Sequence, residues 1–179
     1  MVRCPEPIAC ALTLALLGSG ASCVADEPAP DTLAGETETE TEVVAPGDDD
    51  LAAIQEWLVS RAYQSWERHD PEPAPGMSGG ARVYLSPALA DSLRAGASVH
   101  PPGSAAVREI VDAQDPTRQL GWALVHKLEE STEANSDAWF FYEVFSLEVD
   151  GQPQTAERGP PGCVGCHGEG VDFVRSQLD

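Results

Sequence analysis

Residues 51–179 of this 179-residue chain predict an α+β domain, a mainly antiparallel β-sheet with a few flanking helices. Three observations carry that prediction. Apolar residues alternate with polar ones along Ala105–Val111, Leu120–Lys127 and Ala138–Val149. Helical spacing marks Leu51–Trp66 and the segment opened by Ser86-Pro87. Pro- and Gly-rich turns separate these runs, and no internal repeat is present.

The first helix is predicted over Leu51–Trp66, with Asp49 or Asp50 as its cap and Ile54, Trp57, Leu58, Tyr63 and Trp66 at mostly helical spacing. Asp70-Pro71-Glu72-Pro73-Ala74-Pro75-Gly76 breaks it. Ala81–Leu85 reads as a short strand with Val83 and Leu85 on one face. Ser86 then supplies a hydroxyl cap and Pro87 the first helical position of a helix running to about Ala95, where Gly96 stops it. Pro101-Pro102-Gly103 is a turn. In the strand that follows, Arg108 shares a face with Ala106 and Ile110. Leu120–Lys127 sets Trp122, Leu124 and His126 on one side and Ala123, Val125 and Lys127 on the other. Ala138–Val149 is the longest strand candidate, with Trp139, Phe141, Phe145, Leu147 and Val149 on one face and Asp150-Gly151 as the turn out of it. A brief helical tail closes the chain.

Near the C-terminus stands Cys163-Val164-Gly165-Cys166-His167. C-x-x-C-H is the attachment signature of a c-type haem: two thiols add across the vinyl groups as thioethers, and the adjacent His is held beneath the iron as its proximal ligand. The competing readings are a Cys163–Cys166 disulfide, half of a zinc site, or a thioredoxin-like redox pair. Zinc needs about four ligands, and no second Cys pair lies beyond the N-terminal segment. A thioredoxin motif opens a helix after a buried strand, whereas Gly-Pro-Pro-Gly precedes this one. The reading adopted is one covalently attached haem c, with Cys163, Cys166 and His167 as cofactor-binding residues and His167 as metal ligand.

The N-terminus agrees with that chemistry. A basic start, an apolar run from Ile8 to Leu17 and small residues before Cys23 describe a secretory signal over residues 1–23. The apolar run is too short to span a bilayer. Its end is similar to a bacterial lipobox, with Cys23 as the acylated residue and Gly20 an unusual residue three places before it; ordinary cleavage, for example after Ala25, is the other reading. Both export the chain, and haem attachment takes place outside the cytoplasm. Residues 24–50 hold no aromatic, Lys or Arg, and their acids supply half of the net charge of -20. Such a stretch reads as a self-repelling tether between a membrane anchor and the domain. The remaining charge is also negative, which argues against nucleic acid as a partner.

The chain resembles the cytochrome P-460 family, which includes the sheet-built cytochromes c prime beta. The resemblance runs from about Gly80 to Phe173. It rests on Arg82-Val83-Tyr84-Leu85-Ser86-Pro87, on Gly103-Ser104-Ala105-Ala106-Val107-Arg108-Glu109-Ile110, and on the strand ending Val125-His126-Lys127. Ala138-Trp139-Phe140-Phe141-Tyr142, the haem motif and Asp172-Phe173 complete it. Catalytic members resemble G-x-x-x-x-K-E at the second of these elements, with the Lys linked covalently to the haem, and they oxidise hydroxylamine. Here Arg108 occupies that position. A guanidinium stays protonated and is a poor nucleophile, so the cross-link is not expected. The resemblance implies a distal role for Arg108, whose donors reach a bound diatomic or a haem propionate, and points to Glu157 as the distal acid, against solvated alternatives for both. It also implies a homodimer.

The second axial position separates the functional readings. Met77 is the only Met of the domain and lies in the Pro/Gly-rich loop. His69 and His100 fall in Pro-rich loops and His126 on an apolar strand face, the ordinary settings of solvated and core imidazoles. Five-coordinate iron with an open distal side is therefore expected, a site for NO or another small nitrogen oxide. Phe140, Phe141 and Phe145 are candidate walls. The other readings are a hydroxylamine-oxidising enzyme using Arg108 and Glu157, and a six-coordinate periplasmic electron carrier using one of the three histidines. Each implies a redox partner protein.

Overall fold

The computed structural model describes residues 42–70 and 82–178. The signal segment with Cys23, the tether up to residue 41, the loop holding Met77, and Ala81 lie outside the described residues. Within them the predicted α+β architecture is present. Strands β1 (Glu67–His69), β2 (Arg82–Leu85), β3 (Ala105–Val111), β4 (Gln119–Lys127), β5 (Trp139–Val144) and β6 (Thr155–Arg158) form one antiparallel meander in sequence order. Helix α1 (Leu51–Ser60) packs on one face of it. Helices α2 (Pro87–Arg94) and α3 (Pro161–His167) lie on the other.

Side-chain alternation assigns every strand residue to one of these faces. The α1 face carries Tyr84, Val107, Trp122, Leu124, Tyr142 and Val144, all buried against Ile54, Leu58, Tyr63 and Trp66. The α2/α3 face carries Val83, Leu85, Trp139 and Phe141, packed with Leu89, Ala90 and Val174. The center of the α1 face is polar. Buried Glu109 accepts from Tyr63 Oη at 2.8 Å and Gln64 Nε2 at 3.0 Å. Arg82 Nε lies 2.8 Å from its other oxygen, off the hydrogen-bond angle. Tyr63 Oη in turn accepts from Trp122 Nε1 at 2.8 Å. Burial and the neighboring Glu109 carboxylate push the Tyr63 phenol far above its ordinary range, so it stays a donor.

Several elements differ from expectation. Asp50 caps α1 by accepting from the Ala53 amide at 3.0 Å, but the helix ends at Ser60 because Arg61 turns left-handed at φ 59°. A short 3-10 turn over Ala62–Ser65 then delivers Tyr63 to the core. β1 is three residues long and begins with two charged ones, too short for periodicity to reveal. The predicted long strand stops at Val144: the Phe145 amide donates to the Gln154 side chain at 3.1 Å instead of to β4, and Phe145, Leu147 and Val149 are exposed. The chain returns as β6, which was not anticipated, after a loop fastened to α1 through Gln55 Nε2 and the Glu148 carbonyl. The tail is a tight turn closed by Val171 and Val174 in place of a helix.

Residues 42–50, part of the compositional tether, lie on the domain. Ala45 is buried, the Val43 carbonyl accepts from Trp66 Nε1 at 2.8 Å, and Asp48 pairs with Arg158 Nε at 2.6 Å. The ordering entropy of this acidic stretch is offset by a core contact and by the guanidinium that meets its charge.

Gly121 tests the close approach of β4 and β5. A Cβ there would stand 1.9 Å from the Val144 carbonyl oxygen, a backbone atom that no rotamer change can move. Gly121→Ala is expected to cost about 3 kcal/mol or more in denaturant unfolding. Tyr63→Phe, which strands both Trp122 Nε1 and one bond of Glu109, is expected to cost about 1–3 kcal/mol by the same measurement.

Candidate functional site

The C-x-x-C-H residues lie on α3, a helix of about two turns that begins at Pro161 because proline fixes φ there and needs no amide donor. Cys163 and Cys166 are three apart and share a side of that helix. Both are free thiols, Cys163 half-buried and Cys166 exposed. Burial, then the carboxylates of Glu143 and Glu157, hold the Cys163 thiol above its ordinary range. A redox dithiol of the thioredoxin kind is activated the opposite way, by a lowered thiol. The strand ahead of the helix is β6, a largely exposed edge.

His167 ends the helix. Its Nδ1 lies 2.9 Å from the Phe173 carbonyl oxygen. A carbonyl only accepts, so Nδ1 carries the proton and Nε2 keeps its lone pair. Burial, more than the nearby Arg175 and Arg108 charges, keeps the ring below its ordinary value and so neutral near pH 7. The ring meets Phe141 edge-on, with centroids 5.2 Å apart and planes at 81°.

The sheet registers place the other predicted site residues on this same face. Arg108 stands in a cross-strand row with His69's partner Val83, with Ala123, and through Ala123 with Glu143 and Thr155. The next row runs Leu85, Ala106, Val125, Phe141, Glu157. Arg108, Glu157 and His167 therefore share one face of the sheet. Arg108 Nε is buried without a hydrogen-bond partner among the described residues. Glu157 is exposed, on a strand and not on the loop its neighbors suggested.

Coverage of the two faces differs along the central strands. On the α1 side they are buried, whereas Ala106, Arg108, Ala123, Val125, Glu143 and Thr155 on the α3 side are only half-buried. A floor of Ala106, Ala123, Val125 and Thr155, with Arg108 and Glu143 among them, thus lies beside the two thiols and a ligand-competent imidazole. This donor set and surface fit a flat, apolar macrocycle attached through thioethers. They do not fit zinc: no group of three or more His, Cys, Asp or Glu placed to hold a metal ion occurs among the described residues.

The remaining histidines divide. His126 faces α1, with Nδ1 at 3.2 Å from the Pro46 carbonyl. His100 is buried and not on a solvated loop; its Nδ1 is 2.8 Å from Ser92 Oγ. His69 closes β1 opposite Val83, which sets it in the Arg108 row. Of the three candidate walls, Phe141 faces His167, Phe140 belongs to the α1 core and Phe145 is exposed.

Two residues that sequence reasoning passed over complete the site. Lys127 and Asp172 form an ion pair at 2.6 Å in which neither side chain is exposed. Lys127 lies at the end of an alternating strand and Asp172 in an unpatterned tail; the Val125-His126-Lys127 and Asp172-Phe173 elements of the resemblance marked the two positions but not their pairing.

No protein-family model and no curated protein matches this chain.

Burial holds both His100 and His126 below their ordinary value of 6.5, so each is neutral in the fold and takes up a proton more readily when unfolded. Their contribution to stability is complete above about pH 6.5 and is lost as the pH falls through the lowered folded values. The urea midpoint is expected to decline from pH 7.5 to pH 5, and His126→Gln to flatten that decline.

Proposed function

We propose that this chain is an exported monohaem c-type cytochrome of the P-460 type that binds or redox-converts small nitrogen oxides, NO or hydroxylamine, at an open side of its haem. The observation that carries this reading is the half-covered sheet face beside α3, where two free thiols one helical turn apart adjoin an imidazole whose Nδ1 is engaged by the Phe173 carbonyl.

Cys163 Sγ and Cys166 Sγ would hold the macrocycle, and His167 Nε2 would ligate its iron. When bound, the haem supplies a redox-active iron with a position for a small ligand. The chain's own residues do the rest. The Phe173 carbonyl keeps the proton on His167 Nδ1. Phe141 fixes the ring plane by its edge contact. Ala106, Ala123 and Val125 offer an apolar floor, on which Arg108 is the cation with an unengaged buried donor. That donor suits a bound nitrogen oxide or a propionate. Glu143 and Glu157 bring carboxylates to the same face, and exposed Glu157 can exchange protons with solvent.

The same reading makes Cys23 the acylated residue of a periplasmic, membrane-anchored lipoprotein, with a redox partner protein and no nucleic acid. A homodimer follows from the resemblance. Arg108 in place of Lys removes the nucleophile for a haem cross-link, which weighs against the hydroxylamine-oxidising enzyme. The six-coordinate carrier keeps one specific support, His69 in the Arg108 row.

Optical spectra of the full chain matured in a periplasm test these readings. The expected result is a high-spin ferrous Soret band that shifts sharply on adding CO. A low-spin spectrum indifferent to CO, reversed by His69→Ala, would replace the gas-binding reading with the carrier. Arg108→Leu is expected to weaken NO retention by about 10–100-fold, as for loss of a hydrogen bond from a charged donor.

A further inference from the structure

Asp172 and Phe173 are consecutive non-glycine residues in the left-handed region, at φ 44° and 64°. Such a conformation is unfavorable for a side-chain-bearing residue, and a Phe there persists only where its surroundings leave no alternative. The surroundings are specific. Asp172 Oδ2 accepts from Lys127 Nζ at 2.6 Å and from the His100 backbone amide at 2.9 Å. Lys127 Nζ also lies 5.6 Å from the Trp139 ring centroid. The turn is closed on either side by reciprocal Val171 and Val174 backbone bonds at 2.9 and 2.8 Å. Its product is a single fixed acceptor, the Phe173 carbonyl, 2.9 Å from His167 Nδ1.

We propose that Lys127 and Asp172 are positioning residues for His167: their buried ion pair pins the left-handed turn, and the pinned turn sets the tautomer, orientation and electron-donating strength of the imidazole. This deepens the proposed function and rests on His167 as the haem ligand. The pair makes poor sense as a stabilizer. Asp172 Oδ1 and the neighboring His100 Nε2 are both buried without a hydrogen-bond partner among the described residues, so the desolvated charge is only partly compensated. What the pair does supply is a rigid link from the last residue of β4 to the atom behind the imidazole. An outer partner of this kind raises the basicity of a ligating histidine.

The test uses the haem-loaded full chain with Asp172→Asn and with the double variant Lys127→Met/Asp172→Asn. Asn tolerates the left-handed region, so the backbone preference of residue 172 is not the variable; what the substitution removes is the carboxylate charge that ties the turn to Lys127. Two readings are taken: the ferrous iron–imidazole stretching band by resonance Raman, and the reduction midpoint. Expected are a band lowered and broadened in Asp172→Asn, further so in the double variant, and a midpoint shifted upward in both. Tyr63→Phe, destabilizing but on the opposite face, should leave both readings where they are. Unchanged band and midpoint in the Asp172 variants, or an equal change in Tyr63→Phe, would overturn the proposal. If the double variant does not fold, Asp172→Asn decides by the same readings.

A haem-independent measurement separates this inference from the function on which it rests. The ¹⁵N shifts of His167 in the unloaded full chain should report a proton on Nδ1, with a mixed tautomer in Asp172→Asn. A chain that takes up no haem yet shows this change sinks the cytochrome reading and keeps the positioning role. A proton on Nε2 in the wild type overturns the positioning role whatever the chain binds.

Discussion

β4 has a different chemistry on each side, and most of the domain is arranged around that constraint. Its side chains alternate between Trp122, Leu124 and His126 toward α1 and Ala123, Val125 and Lys127 toward α2 and α3. A one-residue slip against either neighbor would send Lys127 into the α1 core and Trp122 onto the half-covered floor. Register is therefore held from both sides: by the bulge between Ile110 and Val111 against β3, and by the close passage of Gly121 beneath Val144 against β5. The tight face fixes the strands, and the looser face is then free to use small residues where a purely structural sheet would use large ones.

The site draws on this division of labor. Arg108, Glu143, Phe141 and Glu157 come from three strands and meet only because the meander sets their rows side by side. His167 comes from a short helix with no fully buried residue, which packs on the core only through half-buried Cys163 and Val164. Its position is borrowed from the sheet through Phe141 on one side and through the Asp172-Phe173 turn on the other. Lys127 joins the two ends, since the strand that forms the floor also holds the turn behind the imidazole.

Local patterns carried some of this in the sequence and could not carry the rest. Ser86-Pro87 announced α2 because capping and proline chemistry act within one turn, and Ala105–Val111 matched β3 because both of its faces are patterned. The end of β5 was hidden: Phe145, Leu147 and Val149 continue the alternation although the backbone has left the ladder for the Gln154 side chain. Arg61 gave no sign of stopping α1, because a left-handed cap without glycine has no compositional mark. At the site, the Cys and His residues were legible as a motif of fixed spacing. The ion pair behind them was not, since Lys127 and Asp172 are 45 positions apart and pair only in the folded chain.

The docking of residues 42–48 also bears on how the domain meets mechanical load. A pull on the chain from its N-terminal side would not peel α1 from its first turn. It would be borne earlier, at the Val43 carbonyl under Trp66, at the Pro46 carbonyl beside His126 and at Asp48 clasped by Arg158. These attachments lie on Trp66 just ahead of β1, on β4 and on β6, and would share the force among them. The helix cap at Asp50 comes under tension only after they part. The segment therefore spreads a tug on the leading chain over Trp66, β4 and β6 before any of it reaches the start of α1.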